Sequence, residues 1–265
     1  MGIAAVMLAT LVSLAILARP AAAQTRRPSP PATRRPPGPP PRIDRGYVVG
    51  GLGLQLTPTT FSDVVNPIDF GEAAIVDNRF RFATAANVDV GGVYHAWRRR
   101  HVSIGLQLSH LTRTGTDTVS AQVPHPFLFN RLRSVSGEAK LGRQETGFHV
   151  RAIWTRPIRR RWQAALGIGP SWIHVGQDVV QDVTVTQTYP YDTATFATAV
   201  FQRRSGTGVG FNVGGAADYE ATRRVGIRIS LDASRARVPL TVSDTHSIKV
   251  TAGGVRLGAG LLFRF

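Results

Sequence analysis

The sequence predicts an all-β chain: an eight-stranded antiparallel up-and-down transmembrane β-barrel behind an N-terminal signal peptide and a Pro/Arg-rich linker. Three observations predict it. Apolar residues alternate with small or polar ones in segments of about ten residues, with no helical periodicity of useful length after residue 45. The connections between these segments are alternately short and long. The last stretch, VRLGAGLLFRF, puts Val255, Leu257, Ala259, Leu261, Phe263 and Phe265 on one face and Arg256, Gly258, Gly260, Leu262 and Arg264 on the other.

The boundaries follow in chain order. Ile3 to Ala18 is an apolar run, broken by Arg19-Pro20 and followed by Ala21-Ala22-Ala23. This reads as a secretory signal peptide over 1–23, with an Ala-x-Ala cleavage site. No Lys or Arg precedes the run, so a retained N-terminal anchor is the alternative. Residues 24–45 contain the segment TRRPSPPATRRPPGPPPR. Proline lacks an amide donor and fixes φ, so this segment is expected to be an extended spacer that joins no ladder. It is either a cationic tether to anionic headgroups or cell-wall polymer, or a plain solvated linker. Residues 46–265 form the barrel domain.

Eight alternating segments fill that domain. Val48, Leu52, Leu54 and Leu56 oppose Val49, Gly51, Gly53 and Gln55. Phe80, Phe82, Thr84, Ala86, Val88, Val90 and Tyr94 form one face of the second segment. Further segments run through 102–109, 148–155, 162–169, 209–219, 225–232 and 255–265. Short turns fall at 98–100, 157–161 and 221–224; long, mobile loops are expected at about 58–79, 112–143, 173–206 and 236–250, with 173–206 able to continue two strands as a hairpin. Hairpin order gathers the short turns and both termini at one end. A soluble meander has no reason to sort its loops in this way, whereas a membrane barrel does.

The short-turn end also collects aromatic residues: Tyr94, Trp97, Trp154, Trp162, Tyr219, Phe263 and Phe265. Such side chains gather where hydrocarbon meets water. Arg98, Arg99, Arg100, Arg156, Arg159, Arg160, Arg161, Arg223 and Arg224 lie in the same turns, where they can meet lipid phosphates.

The net charge of +16 would ordinarily suggest nucleic acid, and all but two of the 32 basic residues are arginine. A secretion signal removes the chain from that partner. Cysteine is absent, so no disulfide or thiolate metal site holds the fold.

The second face of the strands is rich in Gly, Ala and Ser, which suits a narrow lumen better than a water-facing surface. Its charges are of both signs: Asp89, Asp218 and Asp232 against Arg151, Arg228 and Arg256. Unpaired buried charges cost several kcal/mol, roughly, so these six are expected to pair inside the lumen.

With signal, spacer, eight strands, aromatic girdle and terminal Phe265 in place, residues 46–265 resemble the small bacterial outer-membrane β-barrel family of OmpA-, OmpX- and OmpW-like proteins. The resemblance implies a bacterial outer-membrane location with the linker in the periplasm, and insertion by the barrel-assembly machinery. It also implies roles that range from structure to adhesion to passage of small solutes.

No catalytic, cofactor or metal residue carries over from it. No His-x-x-x-His spacing occurs. Ser109 and His110 are adjacent and face opposite sides of a strand, so they cannot act together. Gly206-x-Gly208-x-Gly210 is followed by a strand rather than a helix, which makes it a poor nucleotide loop. The expected role is structural, surface-binding or adhesive with a largely filled polar lumen. The alternatives are a narrow solute channel and a lipid-A-modifying enzyme.

Overall fold

The computed structural model describes residues 45–97, 102–241 and 247–265. The signal-peptide and linker expectations and the first arginine turn lie outside the described residues.

Eight strands close a ring. They are β1 (Gly46–Gln55), β6 (Ala85–Trp97), β7 (Val102–Pro124), β8 (Leu132–Arg159), β9 (Trp162–Gln187), β10 (Ala194–Glu220), β11 (Val225–Thr241) and β12 (Ser247–Arg264). Each pairs antiparallel with its neighbour in this order, and β1 pairs with β12. That last pairing leaves no sheet edge in this half of the barrel. At the seam Tyr47 stands opposite Arg264, and the Arg45 amide donates to the Phe265 carbonyl at 2.9 Å.

A second hairpin, β2 (Thr59–Val65) and β5 (Ile75–Phe82), rises beside β7, and its tip carries the short pair β3 (Ile68–Asp69) and β4 (Glu72–Ala73). Strand β7 thus pairs first with β6 and then, from Gly115 onward, with β5.

Polarity inverts along single strands. On β7 the outward residues are Ile104, Leu106 and Leu108, then His110, Thr112, Thr114, Thr116 and Thr118. The inward residues of the same strand are Ser103, Gly105, Gln107 and Ser109, then Leu111, Arg113, Gly115, Asp117, Val119, Ala121 and Val123. Near the short turns the barrel is apolar outside and polar inside; beyond Ser109 it becomes polar outside and largely apolar inside. Strand β8 repeats this in reverse, with Val135, Ala139 and Leu141 turned in and Phe148, Val150, Ala152 and Trp154 turned out. The outward band includes Leu52 at 69% exposure and Val209 at 66%. In water such a band would be a large adhesive patch; in hydrocarbon it matches its surroundings, while the closed ladder satisfies the backbone.

Three expectations change. The spans expected to be long loops are mostly strand: β7 runs to Pro124, β9 to Gln187 and β11 to Thr241, each continuing its ladder beyond the apolar band. Phe80 and Phe82 do not face outward with Val88 and Val90. The chain breaks at 83–84 between β5 and β6, and both rings are fully buried inside. The Gly206–Gly210 run is part of β10, and its role is steric. A Cβ at Gly206, Gly208 or Gly210 would collide with the carbonyl oxygen of Pro239, Arg237 or Arg235, respectively, so the three glycines let β11 press against β10. That approach seats Val238, Leu240, Val250 and Ala252 over Ile173 and Val175.

Candidate functional site

The lumen is the first candidate, and it is filled in layers. At the short-turn end Arg264 pairs with Glu220, which also accepts from Gln163 Nε2 at 2.7 Å. Above them Arg228 donates to both oxygens of Asp218, each at 2.7 Å, and to the Tyr47 hydroxyl at 2.6 Å. Its guanidinium lies 4.8 Å from the Tyr47 ring centroid. Val93, Ile153, Ala165 and Leu262 pack around that pair, which accounts for Leu262 as the one large apolar residue on the small face of β12.

The next layer holds the other four charges read from the sequence. Arg151 Nη1 meets Asp232 Oδ1 at 2.6 Å, and Arg256 Nη1 meets Asp89 Oδ1 at 3.5 Å. Asn212 Oδ1 accepts from Arg151 Nε at 2.5 Å, and Asn87 donates to Asp89. The structure therefore brings Asp89, Arg151, Asp218, Arg228, Asp232 and Arg256 together as three interior ion pairs. A cavity of about 70 Å³ between the layers is lined by Tyr47, Asp89, Arg151, Arg228 and Asp232 with glycines.

His149 sits one step higher. Its Nδ1 is 2.7 Å from Ser171 Oγ; its Nε2 is 3.1 Å from Ser109 Oγ and 3.3 Å from Arg256 Nη2. A ring protonated on Nδ1 donates to Ser171 and turns the single lone pair of Nε2 toward Ser109 and Arg256, which share it. Ser109 faces His149 across two strands, while His110 points out of the barrel. A serine touching an imidazole is the elementary nucleophile–base contact. Here both residues are buried, and the nitrogen that would act as base is shared with Arg256.

Sequence reasoning missed the layer above, because it fell in a presumed loop. Arg143, fully buried, donates to Glu145 Oε1 at 2.8 Å, Gln177 Oε1 at 2.9 Å and the Thr251 carbonyl at 2.7 Å. Arg113 reaches the same Glu145 oxygen at 2.6 Å. Both guanidinium groups lie over the Phe82 ring, at 5.3 and 5.6 Å. Phe82 begins an apolar plug with Val76, Phe80, Val119, Leu141 and Val180. The readable signal was the outward set His110, Thr112, Thr114, Thr116 and Thr118, which keeps every second position polar until an apolar set appears on the other parity at Val119, Ala121 and Val123.

Of the aromatic residues, Tyr94, Trp154, Trp162, Phe263 and Phe265 are exposed at the short-turn end. Trp162 packs against Tyr219 with centroids 5.1 Å apart. Strand β6 reaches Trp97, whose side chain lies outside the described residues. A second aromatic cluster was not anticipated: Phe148 and Trp172, centroids 5.9 Å apart, mark the opposite margin of the apolar band.

At the far end the hairpin tips are tied together. The Asn130 amide donates to Glu72 Oε1 at 2.8 Å, Arg133 Nη1 donates to Gln187 Oε1 at 2.6 Å and to the Tyr191 carbonyl at 3.0 Å, and Arg131 pairs with Asp192 at 3.0 Å. Phe127 leans on Tyr191 with centroids 5.4 Å apart. Ile68, Phe70, Phe127, Phe129 and Tyr189 are left more than half exposed.

No protein-family model matches the sequence, and no curated protein matches it either. Among solved structures the chain is similar to Neisserial surface protein A (NspA), at 11% identity and TM-score 0.45, over 83% of this chain and 97% of that one. It is similar to the outer membrane protein OprG from Pseudomonas aeruginosa at 11% identity and TM-score 0.40, over 84% and 97% of the two chains. A third similarity is to Ail, the attachment invasion locus protein of Yersinia pestis, at 9% identity and TM-score 0.35, over 83% and 99%. Likeness at this level transfers no residue role and no activity to this chain.

Proposed function

We propose that this chain is an integral protein of a bacterial outer membrane with a closed lumen, serving a structural and surface-binding or adhesion-type role through its far end. One observation carries the reading: ion-pair layers, followed by the plug around Phe80 and Phe82, succeed one another along the lumen and leave a cavity of only about 70 Å³ between two of them. Eight strands enclose a space that side chains fill. Closure favours the filled-lumen reading over the solute channel. The tied hairpin tips add a rigid surface, and their exposed aromatic residues have the character of contact hot spots. Its partners on this reading are outer-membrane lipid and, during insertion, the barrel-assembly machinery.

The test is reconstitution into planar bilayers. The filled lumen predicts silence across the physiological voltage range, and stable conductance steps would overturn it in favour of the channel. Fractionated cells tested alongside should show the protein in the outer membrane. Its band should shift between unheated and heated gel samples, as expected of a closed barrel.

A further inference from the structure

The outer wall carries a built depression at one place along the margin of the apolar band. Three rows of paired residues on β8, β9 and β10 define it, with a fourth above them in which the Gly142 amide meets the Asp178 side chain. The lowest row is Phe148, Trp172 and Val209; above it come Thr146, His174 and Thr207, then Gln144, Gly176 and Ser205, then Gly142, Asp178 and Arg203. All of these face outward. Two of the twelve positions are glycine, and each makes room for a neighbour. A Cβ at Gly176 would lie 3.3 Å from Arg203 Nη2, and one at Gly142 would lie 2.9 Å from Asp178 Oδ2.

Arg203 therefore folds down over Gly176 and donates to Gln144 Oε1 at 2.6 Å. Asp178 folds the other way: its Oδ2 accepts from the Gly142 amide at 2.8 Å, and its Oδ1 keeps a long ion pair with Arg203 Nη1 at 3.7 Å, which a bound phosphate would compete with. The space so cleared measures about 380 Å³ and is lined by Gln144, Thr146, His174, Gly176, Arg203 and Ser205, with Arg204 beside them.

The chemistry of the niche is that of an oxyanion receptor. His174 uses Nδ1 on Thr207 Oγ1 at 3.0 Å, which leaves Nε2 for a ligand. The Arg203 side chain is half exposed and has guanidinium hydrogens to spare. The hydroxyl of Ser205 and the amide of Gln144 can donate beside them, while the Thr146 hydroxyl is already engaged with His110 Nδ1 at 2.9 Å. Immediately below, Trp172 and Phe148 offer an apolar, ring-lined wall that suits an acyl chain rather than water. A free phosphate would use only the upper half of this arrangement; a phosphorylated lipid would use both.

We propose that the β8–β10 niche binds the phosphorylated headgroup of a lipid in the outer-facing leaflet, with Arg203 and His174 on the phosphate and Phe148 and Trp172 along the acyl chains. The proposal rests on the membrane placement argued above. The Arg203 pairing is a charge-assisted contact, and losing one such contact weakens binding about tenfold.

The experiment uses the full chain refolded in detergent micelles doped with diphosphorylated lipid A, its dephosphorylated counterpart or inorganic phosphate, with bound lipid counted by native mass spectrometry. Wild type is expected to retain the phosphorylated lipid. R203Q and H174Q should each retain about tenfold less. R237Q, which removes an exposed cation of the same wall outside the niche, should retain it like wild type. The proposal is overturned if the dephosphorylated lipid is retained equally, if R237Q is as damaging as R203Q, or if inorganic phosphate binds as tightly as the lipid. The heat-dependent gel shift, run on every variant, separates these outcomes from a failure of the barrel reading, because a barrel that lacks the lipid site still shifts.

Discussion

Asp117 is a carboxyl group placed where a carboxylate is costly. It points inward from β7 between Gly115 and Val119, opposite Phe80 on β5 and Ala139 on β8, and it is fully buried. Neither oxygen has a side-chain partner. Burial pushes its pKa up from the usual carboxylate range to about 7, against a smaller lowering by the Arg79 backbone amide. The nearest inward charges along its own strand and on β8 are Arg113 and Arg143, and both are held by Glu145. With the folded pKa above the unfolded one, the folded state binds the proton more tightly. Its contribution to stability is complete below about pH 4 and is lost as pH rises through about 7. The difference between the unfolded and folded carboxyl corresponds to about 4 kcal/mol between those limits. Because Asp117 lies beyond the apolar band, the loss should be local to the far half. Hydrogen exchange of the amides in 75–82 and 115–123, corrected for the intrinsic pH dependence, is the assay. Protection in wild type should fall between pH 5 and pH 8, while D117N, which cannot ionise, should hold its protection across that range. Equal protection of wild type at both pH values would refute the reasoning, and so would a pH slope unchanged in D117N.

Two further outcomes follow from the lumen and the glycine stripe. Arg228→Met leaves Asp218 buried without its cation and should destabilise the folded barrel by about 3–5 kcal/mol in urea titrations read by gel mobility. Adding Asp218→Leu should recover much of that loss, and a double variant as unstable as the single one would show that the pair is not what holds this layer. Gly208→Val places a side chain against the Arg237 carbonyl and should lift β11 from β10, raising exchange at Val238 and Leu240. Gly50→Ala, whose added Cβ would meet only Val90 at 3.9 Å, should leave exchange there unchanged.

The part of the fold inside the apolar band was legible because strand alternation is local: a period of two shows in any eight residues, and the small face of each strand announced a crowded interior. Asp89, Asp218 and Asp232 stood on that face beside Arg151, Arg228 and Arg256, and the structure turns the face inward. Beyond the band the same alternation was present, but its meaning was hidden. Thr112, Thr114, Thr116 and Thr118 end the even-numbered apolar set of Ile104, Leu106 and Leu108 and so read as a polar loop, whereas the apolar set moves to Val119, Ala121 and Val123. A switch of the apolar residues from one parity to the other within a continuous strand was the readable signal of the inversion. The Arg113–Glu145–Arg143 layer was lost with it. The β8–β10 niche had no signal in any one segment, since it depends on a register across three strands that sets Gly176 beneath Arg203.

The inversion also fixes the depth at which the barrel sits. On four adjacent strands the outward face changes from apolar to polar at one row, Leu108 to His110, Phe148 to Thr146, Trp172 to His174 and Val209 to Thr207. Sliding the barrel outward by two residues, about 7 Å along a strand, would bring Leu108, Phe148, Trp172 and Val209 into water. Each large apolar side chain so exposed costs about 1.5–3 kcal/mol. Sliding it inward would put His110 and His174 into hydrocarbon. The interior changes at nearly the same height, from Ser109 to Leu111 and from Ser171 to Ile173, so neither face can shift register without the other. A hairpin end that is polar outside and apolar within is thereby held clear of the membrane by the wall beneath it. Its tied tips, with Phe127, Phe129 and Tyr189 exposed, are presented at a fixed height rather than on free loops.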